Sequence, residues 1–286
     1  VLGSRGLGDV YKRQKKRSAM GKKLLALDID GTSVCDDYSM GEKSKRAIQL
    51  AQKKGCIVAF VSGRREMDML TLKEDQWITD YQILNTGGKI IRCADKKILY
   101  DKRIPSEVCK KLISYCMENG LQIQWCNGLK WYVSKMTDAT AEYAKEINLL
   151  PKVVDVFEKV DFQEKIESFM AAKDWERVAA YIDSSIFELT YTNSEPGSID
   201  IIDRNITKWQ GIEILANELG IAYEDIITVG NYYNDLDMLQ RAAVGIAVGN
   251  AVEIVKNQAD FVMERDNNHD VVEAVSYTHL TLPTIR

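Results

Sequence analysis

Two carboxylates one residue apart, Asp28 and Asp30, follow a short apolar run and precede Gly31 and Thr32. The run, residues 24–27, has the length of a buried parallel strand that ends in a turn. Ligands of open α/β sheets bind beyond the carboxyl ends of the strands. At such a place one carboxylate can attack a substrate while the other protonates its leaving group. The same residues alone are equally typical of an acidic strand-to-loop turn, so the rest of the chain has to decide.

Polar side chains follow three further predicted strands in the same way. They are Ser62 with Gly63, then Lys208, then Asn231, Asn234 and Asp235. In one parallel sheet the strand ends meet at one edge, so these groups should converge on Asp28 and Asp30. A hydroxyl, a backbone N–H and an ammonium can hold phosphate oxygens. Clustered oxygen ligands can hold Mg²⁺. Each signal alone is typical of a turn or a helix cap, but their order along the chain favours phosphoryl chemistry.

The helices and strands that would position these groups form two βαβ-like stretches, and a stretch with a different order of elements separates them. Residues 24–61 read as strand, helix and strand, and a βαβ unit of this kind implies a parallel sheet. A mostly polar helix is predicted next, over residues 65–73. Strands and helices alternate again after Pro196 and Gly197, whereas the middle of the chain contains a hairpin, short strands and helices. We therefore predict an α/β core with a parallel sheet and an α+β insertion.

The composition disfavours several classes of protein. A net charge of −4 over 286 residues argues against a protein that coats nucleic acid, and no run of the sequence is long and apolar enough to span a membrane. With only two histidines, a Ser-His-Asp hydrolase is disfavoured, and acid–base work falls to carboxylates and lysine. Six cysteines without a C-x-x-C pair are typical of buried thiols in a reducing cytoplasm, where we expect the protein. A nucleotide-binding dehydrogenase is disfavoured because no Gly-x-Gly-x-x-Gly follows the first strand.

Both ends of the chain can be read as translated DNA adaptor. Residues 8–14 back-translate to a sequence that contains the mosaic end of a transposase used to build sequencing libraries. Residues 275–280 can be read as the reverse complement of the same DNA. We therefore expect residues 1–19 and 275–286 to be a non-native leader and tail that take no part in the fold. The native chain would then begin at Met20.

The order of the motifs resembles the haloacid dehalogenase (HAD) superfamily, specifically its Cof-type, IIB subfamily of sugar-phosphate and cofactor phosphatases. The four motifs of the family correspond, in order, to residues 27–32, residues 61–64, Lys208 and residues 230–235. Residues 85–88 and 245–251 match further family patterns. The resemblance therefore covers residues 22–274, which is most of the chain.

This resemblance implies a Rossmann-like, three-layer core with a mostly parallel sheet and an inserted α+β cap of the C2B type. The core would comprise residues 20–85 and 197–274, and the cap residues 86–196. Asp28 would be the nucleophile and Asp30 the general acid and base. The phosphate binders would be Ser62, Gly63, Lys208 and Asn234. The resemblance implies that Mg²⁺ is held by Asp28, the backbone carbonyl of Asp30 and Asn231, with Asp235 nearby in support.

The function that the resemblance implies is Mg²⁺-dependent hydrolysis of a phosphomonoester through an aspartyl-phosphate. The partner would be a small phosphorylated metabolite, either a sugar phosphate or a cofactor such as FMN or PLP, and the protein a monomer or a weak homo-oligomer. The cap would select the substrate, with Trp125, Trp131 and Tyr132 as candidates to line it or, alternatively, as core residues of its sheet. A phosphosugar mutase and a catalytically weakened, metabolite-binding regulatory protein remain as alternatives.

Asn231 stands where the family usually has an aspartate that binds the metal. An amide oxygen can still coordinate Mg²⁺, but it brings no negative charge. We predict that the protein needs more Mg²⁺ for activity than its Asn231→Asp variant does. Titration of activity with Mg²⁺ checks this prediction, and identical titrations for the two proteins would contradict it.

Overall fold

Two separate sheets organise the chain. The computed structural model describes residues 22–195 and 197–279. In this part of the chain the strands are β1 (Leu24–Leu27), β2 (Ile57–Val61), β3 (Tyr81–Leu84), β4 (Lys89–Arg92), β5 (Lys97–Asp101), β6 (Ile123–Asn127), β7 (Lys130–Val133), β8 (Lys152–Val153), β9 (Ser168–Ala172), β10 (Leu189–Glu195), β11 (Ser198–Asp203), β12 (Ile226–Gly230), β13 (Val244–Ala247) and β14 (Phe261–Val262). The α-helices of the same residues are α1 (Glu42–Lys53), α2 (Ser106–Glu118), α3 (Asp138–Glu146), α4 (Trp175–Asp183), α5 (Lys208–Leu219), α6 (Leu236–Arg241), α7 (Glu253–Gln258) and α8 (Val271–His279).

The larger sheet has eight strands in the order β14-β13-β12-β1-β2-β3-β4-β5. The six strands from β14 to β3 are parallel, and β4 and β5 continue the sheet as an antiparallel hairpin. All four residues of the central strand β1 are buried, which is the pattern of a parallel strand with helices on both faces of its sheet. The predicted α/β core with a mostly parallel sheet is confirmed.

Helix α1 shows how the core sequence specifies its elements. Its buried residues Ala47, Ile48 and Ala51 recur at helical spacing, so one face packs on the sheet while the charged face meets water. Gly55, with φ of 86°, lies just beyond the helix and lets the chain turn back into β2. Helix α5 begins at a capping box in which Thr207 and Gln210 satisfy each other's backbone N–H groups, which places Lys208 at the first helical position.

The second sheet has six strands in the order β10-β11-β9-β6-β7-β8. Its apolar face packs with α2 and α4 around Phe169 and Ile199, and Cys126 on its other face packs with Ala144 of α3. We keep the name cap for this unit, residues 104–203. The chain leaves the core after β5 and returns after β11, and there Lys102 Nζ lies 3.5 Å from Asp203 Oδ2. The cap is therefore one continuous insertion in the core.

The observed limits of the cap differ from the predicted residues 86 and 196, of which residue 196 lies outside the described residues. The hairpin β4–β5 belongs to the core sheet because β4 pairs with β3, and Ile90 and Ile91 of β4 are both buried. Strand β11 belongs to the cap sheet because it pairs with β9 and β10. Local pattern identifies a strand, but distant pairing partners decide which sheet it joins.

The carboxyl end of the described chain also differs from expectation. Helix α8 runs to His279, and Val275 is fully buried with Val271 and Val272 in the core. Val275 thus packs with the core, contrary to the expectation that the tail takes no part in the fold, whereas the non-native origin of residues 275–286 stays a prediction. The predicted leader, residues 1–19, and residues 280–286 lie outside the described residues. Throughout residues 22–195 and 197–279, every helix is too short or too polar to cross a membrane.

A close approach of two glycines fixes α5 against the turn that follows β3. A Cβ atom on Gly211 would lie 2.7 Å from Gly87 Cα and 2.5 Å from Ile83 Cγ2. We predict that Gly211→Ala lowers the free energy of unfolding by about 2 kcal/mol, because overpacking outweighs the gain of about 1 kcal/mol in helix propensity. Urea denaturation measures the change.

The matched control is Glu213→Ala, on the exposed side of the same helix, where we expect a change within about 0.5 kcal/mol. Equal stability of the two variants would show that the glycine contact is not tight.

Candidate active site

Asp28 lies directly after β1, and its position is fixed by backbone and side-chain bonds. Its N–H donates to the carbonyl of Val229 at 3.0 Å, so the residue still follows the sheet. Thr32 Oγ1 donates to Asp28 Oδ2 at 2.8 Å, and Lys208 Nζ donates to Oδ1 at 2.7 Å. The residue is only 4% exposed. A buried carboxylate with both oxygens held in this way has a fixed orientation, which attack on a substrate would require.

Lys208 lies between two carboxylates. Its Nζ also donates to Asp235 Oδ1 at 2.6 Å, and both Lys208 and Asp235 are buried. The other oxygen of Asp235 accepts the backbone N–H groups of Asn231 at 2.8 Å and Tyr232 at 3.0 Å. Asp235 thus holds the loop after β12 and the lysine at the same time. The sequence prediction that these strand ends converge is correct for Asp28, Lys208, Asn231 and Asp235.

The cluster of Asp28, Lys208 and Asp235 contains fewer positive than negative groups. Burial and the neighbouring carboxylate of Asp235 raise the pKa of Asp28 to about 7, although Lys208 opposes the rise. Burial lowers the pKa of Lys208, but Asp235 and Asp28 together raise it above its usual value, so the lysine remains an ammonium. One ammonium therefore faces two buried carboxylates. A cation beside Asp28 would favour the ionised, nucleophilic form of that carboxylate.

The side chain of Asn231 supplies a structural test for a metal. Its Oδ1 atom is buried and has no hydrogen-bond partner in the described structure. Its Nδ2 atom is close to Gly31, where an added Cβ would lie only 2.3 Å away. A buried acceptor without a partner is costly, and a cation would satisfy it. The residues present therefore fit the predicted Mg²⁺ site.

The predicted Mg²⁺ site would have an unusual set of ligands. Among the described residues there is no group of three or more His, Cys, Asp and Glu side chains arranged to hold a metal. The predicted site therefore depends on the amide of Asn231 and the backbone carbonyl of Asp30 as well as on Asp28. Oxygen donors of this kind suit Mg²⁺.

Asp30 makes a different set of contacts from Asp28. Its side chain is 51% exposed, and Arg64 binds it in a bidentate pair, with Nη2 at 2.6 Å from Oδ1 and Nε at 2.9 Å from Oδ2. The guanidinium of Arg64 also lies over the ring of Tyr38, 5.1 Å from its centroid. Sequence reasoning did not assign Arg64 to the site. The available signal was a cation placed two residues after Ser62, at the end of a predicted strand.

Ser62 and Gly63 form the turn after β2. Ser62 is buried, its carbonyl accepts the N–H of Thr86 at 3.0 Å, and its Oγ accepts the N–H of Arg64 at 3.1 Å. A Cβ on Gly63 would lie 3.6 Å from Thr86 Oγ1. Thr86 has a φ of 56°, which is strained for a β-branched residue and marks this turn as tightly constrained.

Asn234 and the aromatic residues of the cap are not part of this cluster of contacts. Asn234 is exposed on the loop before Asp235, and its role in binding phosphate stays a prediction. Trp125 is 4% exposed and stacks on Tyr132 with ring centroids 5.7 Å apart. Trp131 is 3% exposed and lies edge-on to another aromatic ring. These are packing contacts of the cap, so the structure favours the alternative that Trp125 and Trp131 are core residues.

The chain matches known proteins over most of its length. The sequence model of haloacid dehalogenase-like hydrolases matches residues 25–275. The Bacillus subtilis 5-amino-6-(5-phospho-D-ribitylamino)uracil phosphatase YcsE is 23% identical over 278 residues, which cover 92% of this chain and 98% of that protein. A haloacid dehalogenase-like hydrolase from Bacteroides thetaiotaomicron has a similar fold, with a TM-score of 0.80, 23% identity and coverage of 90% of this chain and 99% of its own. The structure described as HAD subclass IIB sugar phosphatase BT4131 gives a TM-score of 0.74 at 23% identity, with coverage of 90% and 98%.

The chain belongs to the haloacid dehalogenase-like hydrolase family. The family that the motifs resemble is thereby confirmed, and so is the predicted enzyme class, a HAD-type phosphatase.

The buried charges give a stability prediction for Lys208. We expect Lys208→Met to lower the free energy of unfolding by about 3 kcal/mol in metal-free buffer, because it leaves two buried carboxylates without their counter-charge. Urea denaturation at neutral pH measures the loss.

Lys102→Met is the matched control, since Lys102 is 39% exposed and its ion pair with Asp203 is long, at 3.5 Å. Asp203 is buried but also accepts the N–H of Asn205 at 2.9 Å, so the loss of this long pair with a half-exposed lysine should cost less than about 1 kcal/mol. The double variant Asp28→Asn, Lys208→Met should recover part of the loss. If Lys208→Met is as stable as the control, the carboxylates do not depend on this lysine.

Proposed function

We propose that the protein is a Mg²⁺-dependent phosphomonoester hydrolase that acts through an aspartyl-phosphate on Asp28. The observation that carries this proposal is the buried carboxylate of Asp28, which Lys208 and Thr32 hold at the carboxyl end of β1. No histidine is needed, since the neighbouring strand ends supply an ammonium, a hydroxyl and backbone N–H groups. These groups suit a reaction in which a phosphorus atom is attacked and its oxygens gain charge.

In the first step an oxygen of Asp28 attacks phosphorus, and the bond from phosphorus to the leaving oxygen breaks. Asp30 donates a proton to that oxygen, so the product leaves as a neutral alcohol. In the second step Asp30 takes a proton from water, whose oxygen attacks phosphorus. The acyl-phosphate bond breaks, and inorganic phosphate and the free carboxylate of Asp28 are formed.

Ser62, the N–H of Gly63 and Lys208 would hold the phosphate oxygens, with Asn234 from the loop after β12. Asp28, the backbone carbonyl of Asp30 and Asn231 would hold Mg²⁺, with Asp235 behind them. Bound Mg²⁺ would offset the repulsion between the carboxylate and the dianionic phosphate.

The pair between Asp30 and Arg64 sets a condition on the acid step. Both oxygens of the Asp30 carboxylate accept hydrogen bonds from Arg64. A carboxyl that donates a proton cannot keep both of these bonds, so one of them must break as Asp30 takes up its proton. The other bond keeps Asp30 attached to Arg64 during the acid step, and both bonds can form again in the second step.

The chemistry of the site and the names of two relatives support one class of substrate. YcsE is named for a phosphorylated ribityl compound and BT4131 is described as a sugar phosphatase. Both names support a small phosphorylated metabolite, such as a sugar or polyol phosphate, as the substrate of this chain.

The test is steady-state hydrolysis of an aryl phosphate across a series of Mg²⁺ concentrations. We expect turnover that requires Mg²⁺ and that falls by about 10³-fold or more in Asp28→Asn, because the variant has no nucleophile for the covalent route. Asp37→Asn, on the exposed loop after the motif, is the matched control and should keep full activity.

The covalent intermediate is tested by adding methanol as a second acceptor. A shared aspartyl-phosphate gives the same ratio of methyl phosphate to inorganic phosphate for every leaving group. A ratio that changes with the leaving group would contradict the intermediate. Full activity in Asp28→Asn would overturn the proposed function.

A further inference from the structure

The five residues that follow Ser62 and Gly63 connect the catalytic edge of the core to the cap. We call residues 64–68 the connector. Arg64 binds Asp30, and Glu66 Oε2 lies 2.5 Å from Lys89 Nζ. Met67 is fully buried among apolar side chains of the cap. A helix is predicted over residues 65–73, whereas the structure has no helix over residues 65–67 and has 3₁₀ turns over Asp68–Trp77.

Asp68 of the connector makes a polar contact with the cap. Tyr143 of α3 donates its hydroxyl to Asp68 Oδ1 at 2.7 Å. Arg65 donates to the same carboxylate from its backbone N–H at 2.9 Å and from Nε at 2.8 Å. Burial raises the pKa of Asp68, but the charge and hydrogen bonds of Arg65, together with the bond from Tyr143, hold that pKa below its usual value. The carboxylate thus stays ionised and fully engaged.

The backbone of Asp68 in turn holds Arg64. Arg64 Nη1 donates to the carbonyl of Asp68 at 2.9 Å and to Thr71 Oγ1 at 2.5 Å. The remaining guanidinium nitrogens hold the carboxylate of Asp30. A continuous series of hydrogen bonds therefore runs from the cap to the general acid and base, in the order Tyr143, Asp68, Arg64, Asp30.

We propose that Tyr143 is a positioning residue for Asp30. Its hydroxyl fixes Asp68, Asp68 fixes the guanidinium of Arg64, and Arg64 sets the orientation of the Asp30 carboxylate. This inference rests on the proposed function, since it assigns a role in proton transfer to the leaving group.

Two observations explain why the orientation of Asp30 needs this support. The Asp30 side chain is 51% exposed, and within the described residues its carboxylate takes its hydrogen bonds from Arg64. An exposed carboxylate without fixed partners samples several rotamers, and proton transfer requires a particular one. The ring of Tyr143 also packs edge-on against Trp131, with centroids 6.0 Å apart. The hydroxyl can therefore be removed while the packing of the ring is kept.

The experiment compares two substrates for wild type and Tyr143→Phe in the full-length chain. Ethyl phosphate has a poor leaving group that needs a proton from Asp30. The dinitrophenolate of 2,4-dinitrophenyl phosphate is a good leaving group and departs without a proton. The measured quantity is kcat/KM, because it covers the step in which the leaving group departs. We expect a fall of about tenfold for ethyl phosphate, a part of the range of 10² to 10⁴ that general acids supply, and less than about twofold for the dinitrophenyl ester.

Two controls separate positioning from a general structural effect. Tyr191→Phe removes a hydroxyl that donates to Asp183 at 2.8 Å within the cap, and it should leave both substrates unaffected. In an Arg64→Ala background the effect of Tyr143→Phe should disappear, because the series is already broken.

The possible results distinguish a failure of the positioning role from a failure of the proposed function. Equal losses for both substrates, no loss for ethyl phosphate, or a full effect of Tyr143→Phe without Arg64 would overturn the positioning role and leave the proposed function standing. Failure of the wild type to hydrolyse the dinitrophenyl ester in a manner that depends on Asp28 would overturn the proposed function and this inference with it.

Discussion

The interaction on which the rest of the structure depends is the contact of Lys208 with the carboxylates of Asp28 and Asp235. Lys208, at the start of α5, lies within hydrogen-bond distance of Asp28 after β1 and of Asp235 before α6, and all three charges are buried. Buried charges are tolerated only when they are paired, so these elements must keep their relative positions. The capping box before Lys208 and the backbone bonds to Asp235 place the partners before any ligand arrives. The fold itself therefore positions the charged side chains of the site.

The cluster also explains how the two carboxylates of the first motif come to differ. Asp28 is buried beside another carboxylate and a lysine, whereas Asp30 points to a half-exposed place beside Arg64. A group that attacks phosphorus benefits from a dry and fixed position. A group that first gives and then takes a proton needs access to the leaving group and to water. One short turn thus gives two identical side chains different environments.

The parts predictable from sequence are those in which local pattern and chemistry coincide. Asp28, Lys208 and Asp235 are each found from a strand or helix boundary, and the buried runs of β1 and β2 show a parallel sheet. The sheet that β4 and β11 join could not be predicted, because it depends on distant pairing. The contact between Tyr143 and Asp68 has no local signal at all, since 75 residues separate the two. Trp125 and Trp131 were ambiguous because an aromatic residue on a strand suits a domain core as well as a binding surface.

Lys102 and Asp203 lie side by side where the chain enters and leaves the cap, and this has a consequence for how such a protein can diversify. The chain departs for the cap and returns from it at one point, so the core sheet is complete without the inserted residues. Under the proposed function, mutations or exchanges within the insertion would change which molecule is recognised while Asp28 and Lys208 stay where they are. On that proposal, the nucleophile is encoded outside the insertion and the choice of substrate within it, and Tyr143 is the point at which a change in the insertion would also reach the proton transfer.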